Sequence, residues 1–190
     1  MRQAVPASIT QKRGGAARRG VIVVGLGSNL PAAGAATPRA TVEAALDSFP
    51  KFGIELIGRS QWYASEPVPA SDQPWFVNGV ALVRTRLGPL ALLRSLLRIE
   101  TSFGRYRSVP NAARTLDLDL LDYDGRKIVS AELTLPHPRL PERRFVLAPL
   151  ADLAPEWRHA RLGLSARELL GRLPPGQPVR VLGEGDITGE

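Results

Sequence analysis

The chain has 190 residues and an apolar fraction of 44%, which are ordinary values for one globular domain. It contains no cysteine, which excludes disulfides, zinc–thiolate sites and cysteine nucleophiles, and it has no apolar run of about 18 residues that would predict a membrane-spanning helix. Five of the basic residues behind the net charge of +7 lie within residues 1–20, where no acid stands, so the rest of the chain lacks the charge of a strongly basic nucleic-acid binder.

The two ends of the chain differ from its body. Residues 1–20 are basic, rich in glycine and alanine and without apolar periodicity, so we expect a disordered head. The apolar run that follows is too short for a signal peptide, and the lack of cysteine is compatible with a reducing compartment. Residues 21–172 contain no repeat or linker and are predicted to form one domain, whereas residues 173–190 are expected to be a weakly structured tail.

The first half of the chain predicts one helix among three strands. In chain order these are a strand, a helix and two more strands, at residues 21–26, 37–48, 54–65 and 76–85. Thr37 and Pro38 are typical of the first residues of a helix. A proline-rich loop, residues 66–74, separates the last two strands. We interpret Gly25 and Gly27 as turn residues.

The second half predicts a long helix, a hairpin and two short helices. These are expected at residues 89–103, 116–123 with 126–129, 144–153 and 165–170. The long helix opens at Gly88 and ends at Gly104, and its apolar residues form one stripe. Asp124 and Gly125 predict the hairpin turn, and Gly171 is expected to end the last helix. This order is typical of an α+β fold with a split βαβ pattern, an antiparallel sheet with helices on one face, and added C-terminal helices.

Aspartate alternates with leucine in the strand that begins at residue 116. Because successive side chains of a strand point to opposite faces, Leu116, Leu118 and Leu120 are predicted to face a core, and Asp117 and Asp119 to share the other face. Two carboxylates about 7 Å apart repel by about 2 kcal/mol at an effective dielectric constant near 20. A divalent cation such as Mg²⁺ between them would offset this repulsion. The alternative is a half-exposed edge strand with solvated aspartates.

Three arginines accompany these aspartates. Arg105 and Arg107 follow the long helix, and Arg114 directly precedes the aspartate strand. If the intervening loop folds back, three guanidinium groups and two carboxylates converge, which is a suitable set for a polyphosphate with Mg²⁺. A solvated basic loop is the alternative. The chain has no GxxxxGK[ST] motif, so a nucleotide would be held by side chains and metal.

Two further clusters could bind a ligand. Phe76 and Asn78 lie two residues apart in a predicted strand, so a ring and a carboxamide share one face, as a planar heterocycle requires. A core phenylalanine with a capping asparagine is the simpler alternative. His137 lies in a proline-rich loop and could donate to a phosphate, while Arg143 and Phe145 could close over a ligand. The alternative here is a rigid surface turn.

These motifs, in this order, resemble a known family. They are GLGSN, DQPWFVN, RIE followed by GRYR, ARTLDLDLL, and LPHPRLPERRFVLAPL, and the resemblance runs from about Val21 to Trp157. The chain is thereby similar to the 6-hydroxymethyl-7,8-dihydropterin pyrophosphokinases of folate biosynthesis. The resemblance implies transfer of the β,γ-diphosphate of ATP to the hydroxymethyl group of the pterin, with release of AMP. It also implies a ferredoxin-like βαββαβ core in an αβα sandwich.

The resemblance implies site roles as well. Two Mg²⁺ ions would be held by Asp117 and Asp119. The pterin would contact Asn29, Ser65, Val68, Phe76, Asn78 and Phe145. The catalytic residues that handle the phosphates would be Arg105, Arg107, Arg114, His137 and Arg143. The residues that bind the nucleotide would be Arg105, Arg107, His137 and Arg143, together with Leu97, Arg98, Ile99, Glu100 and Leu120. The enzyme would be a cytoplasmic monomer that binds neither nucleic acid nor membrane and passes its product to dihydropteroate synthase.

The chain departs from the family pattern at two places. Phe76 stands where a tyrosine is common, and the loop between Arg107 and Arg114 is one residue shorter than in the enterobacterial form. Two other functions are compatible with the predicted fold. An RNA-recognition domain would need an aromatic motif that is not present, and a small-phosphate hydrolase would not need the pterin-binding pair.

Overall fold

Eight strands and four α-helices make up the described part of the chain. The computed structural model describes residues 21–105 and 112–183. The strands are β1 (Ile22–Ser28), β2 (Ile54–Arg59), β3 (Tyr63–Ser65), β4 (Phe76–Thr85), β5 (Asp117–Tyr123), β6 (Ile128–Val129), β7 (Thr134–Leu135) and β8 (Val179–Val181). The α-helices are α1 (Pro38–Ser48), α2 (Pro89–Ser102), α3 (Arg144–Leu153) and α4 (Ala166–Arg172). The predicted α+β class is confirmed.

One antiparallel sheet organises these elements. Its strand order is β5–β1–β4–β3–β8, and β2 also pairs with β4. β1 lies between β4 and β5, so that Gly27 faces Asn78 on one side and Asp117 on the other. β6 and β7 form a separate two-stranded ribbon. The strand that carries the aspartates therefore runs directly beside the strand that carries the glycines.

Helices cover both faces of the sheet. Residues of α1 and α2 pack with one set of strand side chains, and residues of α3 and α4 pack with the other set. In β4, Val77 and Ala81 belong to the first core whereas Val80 and Leu82 belong to the second. This division confirms the predicted alternation of β4 and explains why the strand is apolar on both faces.

The helix ends follow the residues that predicted them. The Thr37 hydroxyl accepts a hydrogen bond from the N–H of Ala40 (3.0 Å) and caps α1. Pro89 occupies the first position of α2, and Gly104 follows the helix in a left-handed conformation, with φ of 78°, that favours glycine. A bilayer-spanning helix needs about 20 apolar residues, and none of the helices in the described ranges is long and apolar enough to cross a membrane.

The strand predicted at residues 54–65 is interrupted. It forms β2 and β3, which pair with β4 in registers that differ by one residue. Between them, the Ser60 hydroxyl accepts a hydrogen bond from the N–H of Val80 (3.0 Å), and the N–H of Ser60 donates to the Val80 carbonyl (2.9 Å). The Ser60 hydroxyl thus takes the place of a backbone carbonyl that would otherwise pair with β4. The alternation of apolar residues in the sequence does not predict such a break.

Three other predictions of local structure are wrong. The turn at Asp124 does not join a hairpin, because β6 pairs with β7 across a turn in which Ser130 accepts from the N–H of Leu133 (3.0 Å). Gly171 lies inside α4, which ends at Arg172. Leu173, the C-cap, has an extended backbone because Pro174 follows. Gly25 and Gly27 lie within β1 and are not turn residues.

The segment after residue 173 contributes to the sheet. Val179–Val181 forms β8, which pairs with β3, whereas we expected weak structure throughout this tail. A run of three residues is too short to show a strand periodicity. The predicted head, residues 1–20, lies outside the described residues.

Candidate active site

The floor of the site consists of two rows of neighbouring residues that run across three strands. Asn78, Gly27 and Asp117 stand side by side on β4, β1 and β5. Two residues along each strand, Val80, Gly25 and Asp119 form the next row. The sheet face therefore presents a carboxamide on one side, two carboxylates on the other, and main chain between them.

The glycines of β1 keep this floor open. A Cβ atom at Gly27 would lie 3.3 Å from the Asn78 Oδ1 atom and 3.7 Å from the Cβ of Asp117. A Cβ atom at Gly25 would lie 3.2 Å from a methyl carbon of Leu121. Their role is close approach within a strand, a use of glycine that could have been predicted from their position in an apolar run.

The first turn of α3 closes the cleft from above. Phe145 and Val146 line it opposite the two glycines, together with Asn78, Asp117 and Asp119. The cleft has a volume of about 20 Å³ at this point, far below the roughly 300 Å³ of the smallest ordinary ligand pockets. The cleft is therefore narrower in this structure than a planar ligand needs.

Asp117 is the acceptor for two arginines. Its Oδ2 atom accepts from Nη1 of Arg114 at 2.6 Å, and its Oδ1 atom accepts from Arg105. Burial raises the pKa of Asp117, but the charges of Arg105 and Arg114 together outweigh burial, so the pKa lies below its usual range. Asp117 is therefore ionised at neutral pH.

Glu100 organises this arrangement from behind. It is buried at the end of α2, with 2% of its surface exposed, and its Oε1 atom accepts from the Leu118 N–H (2.8 Å) and from Arg105. Arg105 also donates to the Leu116 carbonyl at 3.2 Å. The same carboxylate thus fixes Arg105 and the start of β5.

Asp119 pairs with a third arginine. Its Oδ2 atom accepts from Nη1 of Arg143 at 2.7 Å, and the Arg143 guanidinium carbon lies 5.7 Å from the centre of the Phe145 ring. The two aspartates share one face, as predicted, and their mutual repulsion is offset by guanidinium groups from separate segments. The predicted convergence of Arg105 and Arg114 on the aspartates is present in the structure.

His137 lies next to this pair. Its backbone N–H donates to the Leu121 carbonyl (2.8 Å), and its Nδ1 atom accepts from the Arg139 N–H (3.2 Å). The neutral ring therefore carries its proton on Nε2. Burial lowers the pKa of His137, and the charges of Arg143 and Arg139 act in the same direction against the opposing effect of Asp119. A neutral imidazole that donates from Nε2 is the form expected at neutral pH.

Asn29 connects three parts of the site. Its Nδ2 atom donates to Gln73 Oε1 and to the Pro74 carbonyl, both at 3.2 Å, and its Oδ1 atom accepts from the Arg114 N–H at 2.6 Å. Only 1% of its surface is exposed. Asn29 therefore holds the end of β1, the proline-rich loop and the start of the aspartate segment together. Gln73 was not predicted from the sequence, because nothing in its local pattern shows this contact.

The remaining pterin candidates lie at the Asn78 end of the floor. Asn78 donates from Nδ2 to the Ser65 hydroxyl at 2.9 Å and, less closely, to the Phe76 carbonyl at 3.4 Å. Phe76 is partly exposed at the start of β4, as is expected for a ring available to a ligand. Val68 lies in the loop with 48% of its surface exposed.

The nucleotide candidates divide into two groups. Ile99 and Leu120 are buried in the core between α2 and the sheet, on the face opposite the aspartates. Their side chains cannot contact a nucleotide, so any contact would come from the backbone. Leu97 is partly exposed and Arg98 exposed on α2. Arg107 lies outside the described residues.

The donor set of the cleft fits Mg²⁺. The carboxylates of Asp117 and Asp119 are partly exposed and lie on one face, and no group of three or more candidate metal ligands occurs in residues 21–105 and 112–183. Mg²⁺ is usually held by one or two carboxylates, with phosphate oxygens and water as its other ligands. Two adjacent carboxylates are therefore a sufficient protein contribution.

Comparison with known proteins assigns this site to a family. Residues 23–155 match the family model described as 7,8-dihydro-6-hydroxymethylpterin-pyrophosphokinase (HPPK). The chain belongs to this family. The match spans the floor, the aspartate strand and the whole of α3, and the predicted resemblance is confirmed.

Curated relatives agree with the HPPK assignment. The chain is 45% identical over 138 residues to the 2-amino-4-hydroxy-6-hydroxymethyldihydropteridine pyrophosphokinase of Pseudomonas aeruginosa, covering 72% of this chain and 82% of that one. It is 42% identical over 148 residues to the protein of the same name from Synechocystis sp., covering 78% and 73% of the two chains.

A solved structure shows the same fold. The HPPK-DHPS of Plasmodium falciparum with pteroate aligns with a TM-score of 0.59 and 15% sequence identity. The alignment covers 80% of this chain and 44% of that longer chain. At this level of identity the likeness concerns the fold alone.

As a member of the HPPK family, the protein is an ATP-dependent pterin pyrophosphokinase of folate biosynthesis. It transfers a diphosphate from ATP to hydroxymethyldihydropterin. The comparisons give no support to an RNA-binding domain or a small-phosphate hydrolase.

Proposed function

We propose that diphosphate transfer takes place in the cleft above Gly25 and Gly27. The pterin lies on the Asn78 side, and the ATP phosphates lie on the side of Asp117 and Asp119. The observation that carries this proposal is the row formed by Asn78, Gly27 and Asp117, which aligns a carboxamide, an open floor and a carboxylate within the width of three strands. The hydroxymethyl arm of the pterin then crosses β1 toward the phosphates.

The pterin is recognised by the carboxamide of Asn78 and by aromatic rings. The hydrogen bonds to the Ser65 hydroxyl and the Phe76 carbonyl fix the orientation of the Asn78 amide, so Oδ1 can accept a hydrogen bond from the edge of a planar heterocycle. Phe76 and Phe145 supply stacking surfaces. Asn29 and Val68 contribute through the proline-rich loop, residues 66–74. Asn29 binds the end of this loop by hydrogen bonds to Gln73 and Pro74, and Val68 is an exposed residue within it.

Asp117 and Asp119 would hold Mg²⁺, and we propose two ions. The bound metal would neutralise charge on the phosphates of ATP. The support for this proposal is the pair of partly exposed carboxylates at the open end of the floor. The charges of Arg105 and Arg114 keep Asp117 ionised.

The arginines exchange partners when ATP binds. Arg105, Arg114 and Arg143 neutralise the aspartates in the described structure. Phosphate oxygens compete for the same guanidinium groups, which can bind them in a bidentate manner. We assign Arg107 to the same task. His137 donates from Nε2 to a phosphate oxygen.

The nucleotide base lies near the end of α2. Leu97 and Arg98 are available there as side chains, and Ile99 and Leu120 can contribute only backbone atoms. Glu100 serves the nucleotide site indirectly, through Arg105 and the start of β5.

Positioning and charge stabilisation account for the chemistry. The alcohol oxygen of the pterin must reach the β-phosphorus in line with the departing AMP oxygen. Holding the reactants in contact can supply about 7–11 kcal/mol of the barrier. Closure of residues 66–74 would exclude water that otherwise hydrolyses ATP.

We infer that the core is ferredoxin-like within an αβα sandwich. In support, the strands that flank α1 and α2 follow the order βαββαβ when β2 and β3 are taken as one interrupted strand, with helices on both faces. We also propose that the protein acts as a cytoplasmic monomer and passes its product to dihydropteroate synthase. Support for the transfer of product comes from the solved Plasmodium falciparum chains named HPPK-DHPS.

AMP release tests the proposed function directly. The protein is incubated with ATP and Mg²⁺, with and without 6-hydroxymethyl-7,8-dihydropterin, and the products are separated. We expect AMP only when the pterin is present. Release of inorganic phosphate without the pterin would indicate hydrolysis and contradict the proposal.

A further inference from the structure

The helix that closes the cleft has no cap of its own. α3 begins at Arg144, and the preceding residue, Arg143, makes no side-chain capping hydrogen bond. The first N–H groups of a helix require acceptors from elsewhere. For α3 the acceptor comes from the tail, because the N–H of Arg144 donates to Oε1 of Gln177 at 2.8 Å.

The tail that carries Gln177 is anchored on both sides. Before it, Leu173 packs into the core formed with α3 and α4. After it, β8 pairs with β3, and the N–H of the buried Leu182 donates to the Trp62 carbonyl at 2.8 Å. Gln177 is therefore presented by a segment whose two ends are fixed.

Local geometry directs Gln177 at the helix. Gly176 has φ of 124°, a conformation that favours glycine, directly before Gln177. The Arg144 guanidinium donates to the Pro174 carbonyl at 3.3 Å, so Arg144 is held by the tail through its side chain as well as its backbone. Pro178 follows and restricts the chain further.

We propose that Gln177 is a positioning residue for diphosphate transfer. By capping the first turn of α3, it holds Arg143 beside Asp119 and Phe145 over the cleft. This inference rests on the proposed function, which gives Arg143 the phosphates and Phe145 the pterin. Gln177 lies beyond the residues that match the family model, which end at residue 155.

Loss of this cap would act on substrate binding. Without an acceptor for the Arg144 N–H, the first turn of α3 frays and the Phe145 ring no longer has one fixed position. A misplacement of about 1 Å in a positioning group can cost a large factor in rate. A role in folding alone would instead reduce the amount of active enzyme and leave the KM for the pterin unchanged.

Three variants test this inference with the full chain. Gln177→Met removes the acceptor oxygen but keeps a side chain of nearly the same length. Gln177→Glu keeps an acceptor oxygen. Gln61→Met is the control, because it replaces an exposed glutamine outside the cleft by methionine. AMP release is measured against pterin concentration, and thermal unfolding is recorded for each variant. We expect Gln177→Met to raise the KM for the pterin about fivefold. This is the change in a binding constant that corresponds to the free energy lost with one helix cap. Gln177→Glu and Gln61→Met should keep the wild-type KM.

The outcomes separate this inference from the proposed function. An unchanged KM in Gln177→Met, or an increase of the same size in Gln177→Glu, would overturn the positioning role in an enzyme that otherwise works. Failure of the unaltered protein to release AMP in response to the pterin would overturn the proposed function itself.

Discussion

Asp117 and Asp119 illustrate what residue patterns can and cannot predict. The period of two placed both carboxylates on one face, because that follows from strand geometry alone. The pairing of Arg105, Arg114 and Arg143 with particular oxygens depends on where separate segments fold, so the convergence of Arg105 and Arg114 was predicted but the Arg143–Asp119 pair was not. The pairing of Asn29 with Gln73 had no local signal.

The aspartates provide the first prediction. Asp117→Asn or Asp119→Asn should lower diphosphate transfer by about 10²-fold or more, because the neutral amide is a poor ligand for the metal that balances the phosphate charge. Pterin binding should remain measurable by calorimetry. Asp47→Asn, at an exposed position on α1, is the control. Near-normal turnover in either site variant would contradict the metal-binding role.

Phe145 provides a prediction about selectivity between the substrates. Its ring lines the cleft beside Asn78, so Phe145→Ala should raise the Kd of the pterin about tenfold through lost stacking. The Kd of ATP should change less, since the proposed site of the phosphates is on the aspartate side. Calorimetric titration of the variant with each substrate measures both values. The opposite order of effects would show that the ring does not stack on the pterin.

At the scale of elements, boundaries with a chemical marker were predictable. α1 starts at the capping threonine and α2 ends at the left-handed glycine, because each residue type has a direct backbone reason to be there. The break at Ser60 and the strand β8 were not predictable. One depends on a side chain entering the ladder of β4, and the other on the edge offered by β3.

The packing of β4 against Trp62 leads to a stability prediction. A Cβ atom at Gly79 would lie 2.6 Å from the ring of Trp62, which is buried and donates to Glu43 at 3.0 Å. Gly79→Ala should therefore lower the free energy of unfolding by about 3 kcal/mol, as in other overpacked cores. The matched control is Gly58→Ala, where the nearest atom is 3.8 Å away. Urea unfolding that showed equal stability for the two variants would contradict this account.

At the scale of the whole molecule, the second layer of helices buries ionisable groups. Asp122 accepts from the Trp157 indole N–H at 2.7 Å, and burial raises the pKa of this carboxyl. His159 packs edge-on against the same indole, with ring centres 6.0 Å apart. The composition of the chain does not predict which of its ionisable groups become buried, because that depends on how α3 and α4 cover the sheet.

His159 makes stability depend on pH. Burial, with the charge of Arg161 adding to it, lowers the pKa of His159 below 6.5. The unfolded chain therefore takes up this proton first, and stability is lost as the pH falls through 6.5 toward the folded-state value. His159→Asn keeps an acceptor for the loop N–H groups and removes the titration. We expect the variant to lose less free energy of unfolding than the wild type between about pH 7.5 and about pH 5.5. Equal losses in urea titrations at the two pH values would contradict this origin.

Gly25 and Gly27 limit how the sequence of β1 can vary. A ligand in the proposed position between Asn78 and Asp117 would touch peptide groups of Gly25 and Gly27, and any other residue there would add a Cβ atom 3.2 or 3.3 Å from a neighbouring side chain. A compound designed to contact that surface would meet backbone atoms, and a substitution there would add a Cβ atom to the floor on which the pterin is proposed to lie. Escape from such an inhibitor would have to arise elsewhere, in the proline-rich loop or at the entrance to α3.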